Sequence, residues 1–245
     1  MERPAERRET RMGRDDDPWQ RWAAGAGIGF VVLALIAFLF DPSPPKPGDP
    51  AGEIASHFRD NDARVLWQAF IFGLASVLYL WFFGTLATYL RVEIGGVAGR
   101  YSAIVLGGAA TSTALFLLGT TASASLASRA DDIADETAAA VFAIGNTATA
   151  FTDFPAAVVV GAVSLAALRT AVFPDWLAWA GAAVDALLLI TAFAGLVSDA
   201  AAFDASGWFA ILTFLAFLAW TALTSWLLVE RVGGVPIGRR GAPAA

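Results

Sequence analysis

The sequence contains no cysteine and a single histidine, His57. Without cysteine there are no disulfides, no thiolate metal sites and no thiol nucleophile. One histidine leaves no material for a histidine-rich metal centre or a histidine-based triad. Lysine is almost missing as well, Lys46 standing alone against 15 arginines. Charge of either sign is scarce: 16% of residues are Asp, Glu, Lys or Arg, against about 25% in a soluble domain. The patterns that mark catalytic or phosphate-binding loops, HExxH, GxSxG and the P-loop, do not occur. These absences lead to the expectation of a protein that is not an enzyme, takes no cofactor and no metal, and has no nucleic-acid partner.

What is abundant is apolar surface. Of the 245 residues 57% are hydrophobic, and the mean hydropathy is +0.61. A run of about 18 or more apolar residues reads as a membrane-spanning helix. Six such blocks occupy 22–40, 65–90, 101–127, 138–168, 176–198 and 207–229. The expected fold is therefore all-α: a transmembrane bundle of six helices over 22–232, between a charged, disordered tail (1–21) and a second tail (233–245). The lipid bilayer is its first partner. The first block exceeds the apolar core of about 7–15 residues in a signal peptide, and the DPSPPKPGDP after it offers no small-x-small cleavage site, so it reads as a retained anchor. The third block ends in GTTASASLAS, which is small and only half apolar. The fourth is 31 residues long and would reach about 46 Å, against a hydrocarbon core of about 30 Å. It must tilt, protrude or bend, and Pro155 marks the place for a bend.

The arginines set an orientation. The N-terminal stretch, the second and fourth connectors and the C-terminal stretch hold twelve Lys or Arg; the alternate connectors hold four. By the positive-inside rule both termini are cytoplasmic. Trp22, Trp176, Trp179 and Trp226 then fall at the inner interface, and Trp67 and Trp208 at the outer one. The connector 41–64 begins as a stiff proline-rich spacer, then repeats Ala51, Ile54, Ala55 and Phe58 at helical spacing. This predicts a short interfacial helix on the outer membrane surface, with His57 at headgroup level. Gly25 and Gly29, four apart in the first block, make a small-residue face that permits a homo-oligomer without requiring one.

Two acids interrupt the blocks, Asp153 in NTATAFTDFPAA and Asp185 in GAAVDALLLI. A charge at the bilayer centre costs at least about 2.5–3.5 kcal/mol, and no block contains a Lys, Arg or His to pair with one. Each acid is therefore protonated, or faces water or a bound cation inside the bundle. Counted from Arg169 and Asp175 at ideal rise, they stand about 24 Å and 15 Å from the inner surface, too far apart to share a proton. The same ruler sets Thr111, Ser112, Thr221 and Tyr79 level with Asp185. Asn146, Thr149 and Asp153 form a polar stripe at i, i+3, i+7. These eight residues are the candidate polar site. In the first reading they bond the helices together, each bond worth about 0.6 kcal/mol, in a non-enzymatic structural or interaction role. In the alternative they form a proton, cation or small-solute site beside a bent helix, as in a small transporter.

The stretch DFPAAVVVGAVSLAALRTAVFPDWLAWAGAAVDALLL places Pro155 within the fourth block, Arg169 at its end, and Pro174, Trp176 and Leu177 in a Pro-x-Trp-Leu turn opening the fifth. Together with FRDNDARVLWQAF leading into the second block, it resembles a group of six-span bacterial integral membrane proteins defined only as a domain of unknown function. The resemblance covers about residues 50–232. It implies six helices in a bacterial cytoplasmic membrane and no catalytic residue.

Overall fold

A computed structural model of the chain describes residues 18–41, 43–46, 48–94, 98–129, 131–197 and 207–232. The expected tails lie outside the described residues, apart from 18–21, which open the first helix. Among the described residues there are eight helices and no strand: α1 Pro18–Phe40, α2 Ala51–Asp60, α3 Asp62–Ile94, α4 Ala98–Arg129, α5 Asp135–Phe151, α6 Asp153–Thr170, α7 Asp175–Val197 and α8 Trp208–Val232. Six stretches are long and apolar enough to cross a membrane: α1, α3, α4, the pair α5–α6, α7 and α8. The chain is an all-α, multi-pass membrane protein, as its blocks require. α3 and α4 have 33 and 32 residues, about 48 Å at ideal rise, so whole turns stand beyond the hydrocarbon.

Each span packs on its neighbours in sequence, and α8 closes back on α1, giving a ring of six. Its interior is aromatic. Phe30, Tyr79, Phe82, Phe83 and Phe217 interlock at centroid distances of 4.6–6.4 Å, Phe30 on Tyr79 and Phe217 and Phe82 on Phe83 edge to face as ring quadrupoles prefer, the Tyr79 contacts to Phe83 and Phe217 tilted. The Trp220 indole donates to the Leu177 carbonyl at 3.3 Å, and the Ser225 hydroxyl donates to the Ala24 carbonyl at 2.6 Å, tying α8 to α7 and α1. At one end of the ring Arg169 donates to the Tyr101 hydroxyl at 3.0 Å, and Arg231 lies 5.4 Å over the Phe173 ring. Arg169, at the end of the fourth span, and Arg231, at the end of the sixth, are thus at one end of the ring.

Glycines set the closest helix contacts. A Cβ on Gly119 would meet the Gly145 carbonyl oxygen at 2.8 Å, and one on Gly145 would meet the Ala122 Cβ at 2.7 Å. The small residues of GTTASASLAS therefore do not end the helix; they admit α5, and α4 continues to Arg129. On α1 the packed glycines are Gly27, where a Cβ would lie 2.8 Å from Ser225 and 2.9 Å from Phe82, and Gly29, 2.9 Å from Leu78. Gly25 has nothing within 4 Å, so of the two glycines expected to form one small-residue face only Gly29 meets another helix of the chain.

The short helix α2 forms as expected, after Pro50, but its apolar face does not rest in lipid headgroups. Ile54, Ala55 and Phe58 are buried against Val65, Leu126, Ala138 and Phe142 of α3, α4 and α5. His57 is likewise turned inward, its Nε2 3.0 Å from Asp41 Oδ2, and Arg59 pairs with Asp135 at the start of α5. Stacked apolar side chains at the ends of α4 and α5 offer that face a dry site, which the sequence of α2 alone cannot show.

Chain reversal between α6 and α7 places Ala171 at φ 52°, ψ 24°, the only non-glycine residue with positive φ among those described. An L-residue there costs about 1–2 kcal/mol, part of which glycine returns through unfolded-chain entropy. Ala171→Gly should stabilise the protein by about 0.5–1 kcal/mol in SDS-titration unfolding from mixed micelles. In the same assay Gly119→Ala should cost about 1–3 kcal/mol through overpacking, whereas Gly25→Ala should leave stability unchanged or slightly raised.

Candidate functional site

The fourth span breaks at Thr152. Its backbone stays near helical values, φ −60° and ψ −30°, so the break is a bend rather than a loop. The Thr152 amide donates to the Thr149 carbonyl at 3.1 Å, its hydroxyl donates to the Ala148 carbonyl at 3.2 Å, and its own carbonyl accepts from the Ala156 amide at 3.2 Å. Pro155 has no N–H to offer Phe151, and its ring crowds that carbonyl, which is what bends the helix. Asp153 is the first residue of α6 and sits in this bend. It is half-buried, and it makes no hydrogen bond or ion pair with a described residue.

Opposite the bend runs α4. A Cβ on Gly108 would come within 3.1 Å of the Pro155 carbonyl and 2.7 Å of the Val159 side chain, while Gly119 faces Gly145 and Thr149. Between these two crossings the antiparallel register carries Ser112 to the level of Asp153, on the face that Gly108 shares at i+4. Ser112 is 2% exposed; its hydroxyl lies 3.0 Å from that of Tyr79 and donates to the Ala109 carbonyl at 3.1 Å. Ser112 therefore stands level with Asp153 along the crossing, while its hydroxyl is bonded to Tyr79 at the contact of α4 with α3.

The other candidates go elsewhere. Thr149 lies over Gly119 and donates to its own helix at Gly145, 3.0 Å away. Asn146 is half-buried one turn above. Thr111 is exposed and donates to the Gly107 carbonyl at 2.9 Å, so it leaves the site although Ser112 beside it belongs there. Thr221 is fully buried on α8 with its hydroxyl unpartnered among the described residues, next to Trp220, whose ring covers Gly181 one turn from Asp185. Asp185 itself lies across Gly161 of α6, where a Cβ would meet its carboxyl at 3.3–3.4 Å. Gly161 is eight residues beyond Asp153, about 12 Å along the axis, so the acids form no pair. The expected level of Ser112 and Tyr79 with Asp185 is corrected to a level with Asp153. The ends of the helices are not aligned, and counting from terminal arginines misplaces them by more than a turn.

Gly161 falls three residues after Val158 and four before Leu165, both exposed, so the half-buried Asp185 carboxyl lies over a shallow, side-chain-free position on the exposed side of α6 and α7. No group of three His, Asp or Glu side chains that could hold a metal gathers among the described residues. Sequence reasoning missed Gly108, Gly161 and the buried, unpartnered Ser164 hydroxyl against Gly181. A glycine gives no signal of which neighbour it admits.

Residues 25–230 match the family described as a domain of unknown function, DUF4386. The chain belongs to that family, in agreement with the resemblance carried by Pro155, Arg169 and the Pro-x-Trp-Leu turn. No curated protein and no solved structure gives a significant match.

The hydroxyl pair at the crossing is measurable. Tyr79→Phe and Ser112→Ala should each cost about 0.6 kcal/mol. Their double variant should cost little more than either, because both remove the same bond. Additive losses in micellar unfolding would place the two hydroxyls in separate interactions.

Proposed function

We propose that this member of the DUF4386 family is a non-enzymatic protein of a bacterial cytoplasmic membrane, with both termini cytoplasmic, that acts by lateral association with another membrane-spanning helix. The basic connectors at the end of the ring shared by Tyr101, Arg169 and Arg231 support that orientation. The separation of Asp153 from Asp185 leaves no carboxyl pair that could act as acid and base on one reacting centre, which supports the non-enzymatic reading.

The observation that carries the reading is the position of Asp185. Ten residues into α7, about 15 Å deep, a half-buried carboxyl lies at the lipid-facing surface with no described partner. Lipid offers it no donor. A second helix seated between Val158 and Leu165 would bring one, and polar contacts of this kind bind membrane helices together.

The absence of cysteine makes the test direct. In native membranes Val158→Cys should give a bismaleimide adduct of defined mass, while Trp67→Cys on the lipid face of α3 should not. Adding Asp185→Leu should lower the yield about three- to tenfold, the equivalent of one interhelical bond, and Asp185→Asn should preserve it. Equal cross-linking at Val158 and Trp67 would rule out association through this face.

A further inference from the structure

We propose that the lateral partner of this protein is a second copy of its own chain, docked about a twofold axis along the membrane normal so that the two Asp185 carboxyls hydrogen-bond to each other. The inference rests on the association through Asp185 proposed above and names the partner.

The depth of the carboxyl comes first. Asp185 is the eleventh of the 23 residues of α7, so it stands near the middle of the span. A side chain this short does not reach the headgroups from there, and the hydrocarbon offers neither water nor a donor. None of the six apolar blocks holds Lys, Arg or His, so two copies of this chain have no ion pair to form at that level. What they have is the carboxyl itself. In its neutral form it carries one O–H to donate and a carbonyl oxygen to accept. It is therefore its own complement: two of them satisfy each other through two reciprocal bonds and leave no net charge in the low-dielectric layer.

Symmetry supplies the register. In a twofold interface the same patch meets itself, and copies inserted in one direction hold every residue at one depth. Asp185 is thus level with the partner's Asp185 by construction. A foreign helix would have to carry a donor at that same depth.

The surface around the carboxyl admits a close approach. Asp185 lies over Gly161, where no side chain intervenes, and its neighbours on α7 are Ala182, half-buried, and Ala183 and Ala186, both exposed. Small residues let two helix backbones come near enough for short side chains to meet. The exposed stripe of α3 is of the opposite kind: Leu66, Trp67, Phe70 and Leu74 hold any neighbouring backbone away. The unpartnered acid and the small residues share one face, with Val158 and Leu165 beside them to pack around the pair.

The test co-expresses the full chain in two versions that differ only in affinity tag, solubilised in mild detergent. Capture of one tag should retain the other. Asp185→Leu in both versions should lower this co-capture about five- to tenfold, the equivalent of the two reciprocal bonds. Asp185→Lys in both should abolish it, and Asp185→Lys in one version alone should restore it, because an ammonium then faces a carboxylate. Association with a foreign helix predicts no such recovery. Co-capture unchanged by Asp185→Leu, or a mixed pair of inserted chains that does not recover, would overturn the proposal. Should the lysine variant not insert, Val158→Cys decides, since its bismaleimide adduct must have twice the mass of the chain. An adduct of any other mass leaves lateral association standing and excludes a second copy as the partner; no adduct removes both.

Discussion

Inside a bilayer no water completes a hydrogen bond, and that shortage orders this structure. The helices satisfy their own backbones. Hydroxyl side chains find a local remedy as well: Thr85, Thr88, Thr111 and Thr120 each donate to the carbonyl four residues back at 2.9 Å. A threonine so bonded can face lipid, which is why a count of hydroxyls overstates any polar site. Aspartate has no such remedy. Its ionised side chain only accepts, and a helix interior has no free N–H to give. With the Ser164 and Thr221 hydroxyls, unpartnered among the described residues, the two acids are groups whose needs the chain does not meet from their own helices.

The bend and the glycines are parts of one arrangement. The fourth span is longer than the membrane is thick, and Pro155 lets it deviate. A straight α4 must then touch it on both sides of the bend. It does so at Gly108 below and Gly119 above, where side chains would collide with Pro155, Val159, Gly145 and Thr149. Ser112 lies between the two contacts, and its link to Tyr79 extends the crossing into the aromatic interior. Packing of small residues thus sets how closely α4 approaches the bend.

Much of this was legible beforehand. Six spans follow from apolar block length, and the bend from a proline in a block too long for the bilayer. The distance between Asp153 and Asp185 follows from rise per residue alone. What the sequence hides is rotation and register. Thr111 and Ser112 are adjacent, but a step of about 100° sends one to the lipid and one to the core. Gly25 and Gly27 differ only by what stands opposite them. The apolar stripe of α2 fits a membrane surface and a protein groove equally well, and only the ends of α4 and α5 decide for the groove. These are questions of which surface meets which, and single-chain periodicity carries no term for the partner.

The strap formed by α2 has a consequence for how the protein is made. Its two polar anchors lie far apart along the chain, Asp41 sixteen residues before His57 and Asp135 76 residues after Arg59. Two whole spans are synthesised between Arg59 and Asp135. When α2 is made, only the Asp41 anchor precedes it, and the part of its apolar site formed by Ala138 and Phe142 exists only after α5 has been made. A chain whose fourth span were reversed would lack Ala138 and Phe142 at that end, and with them part of the site that buries Ile54 and Phe58.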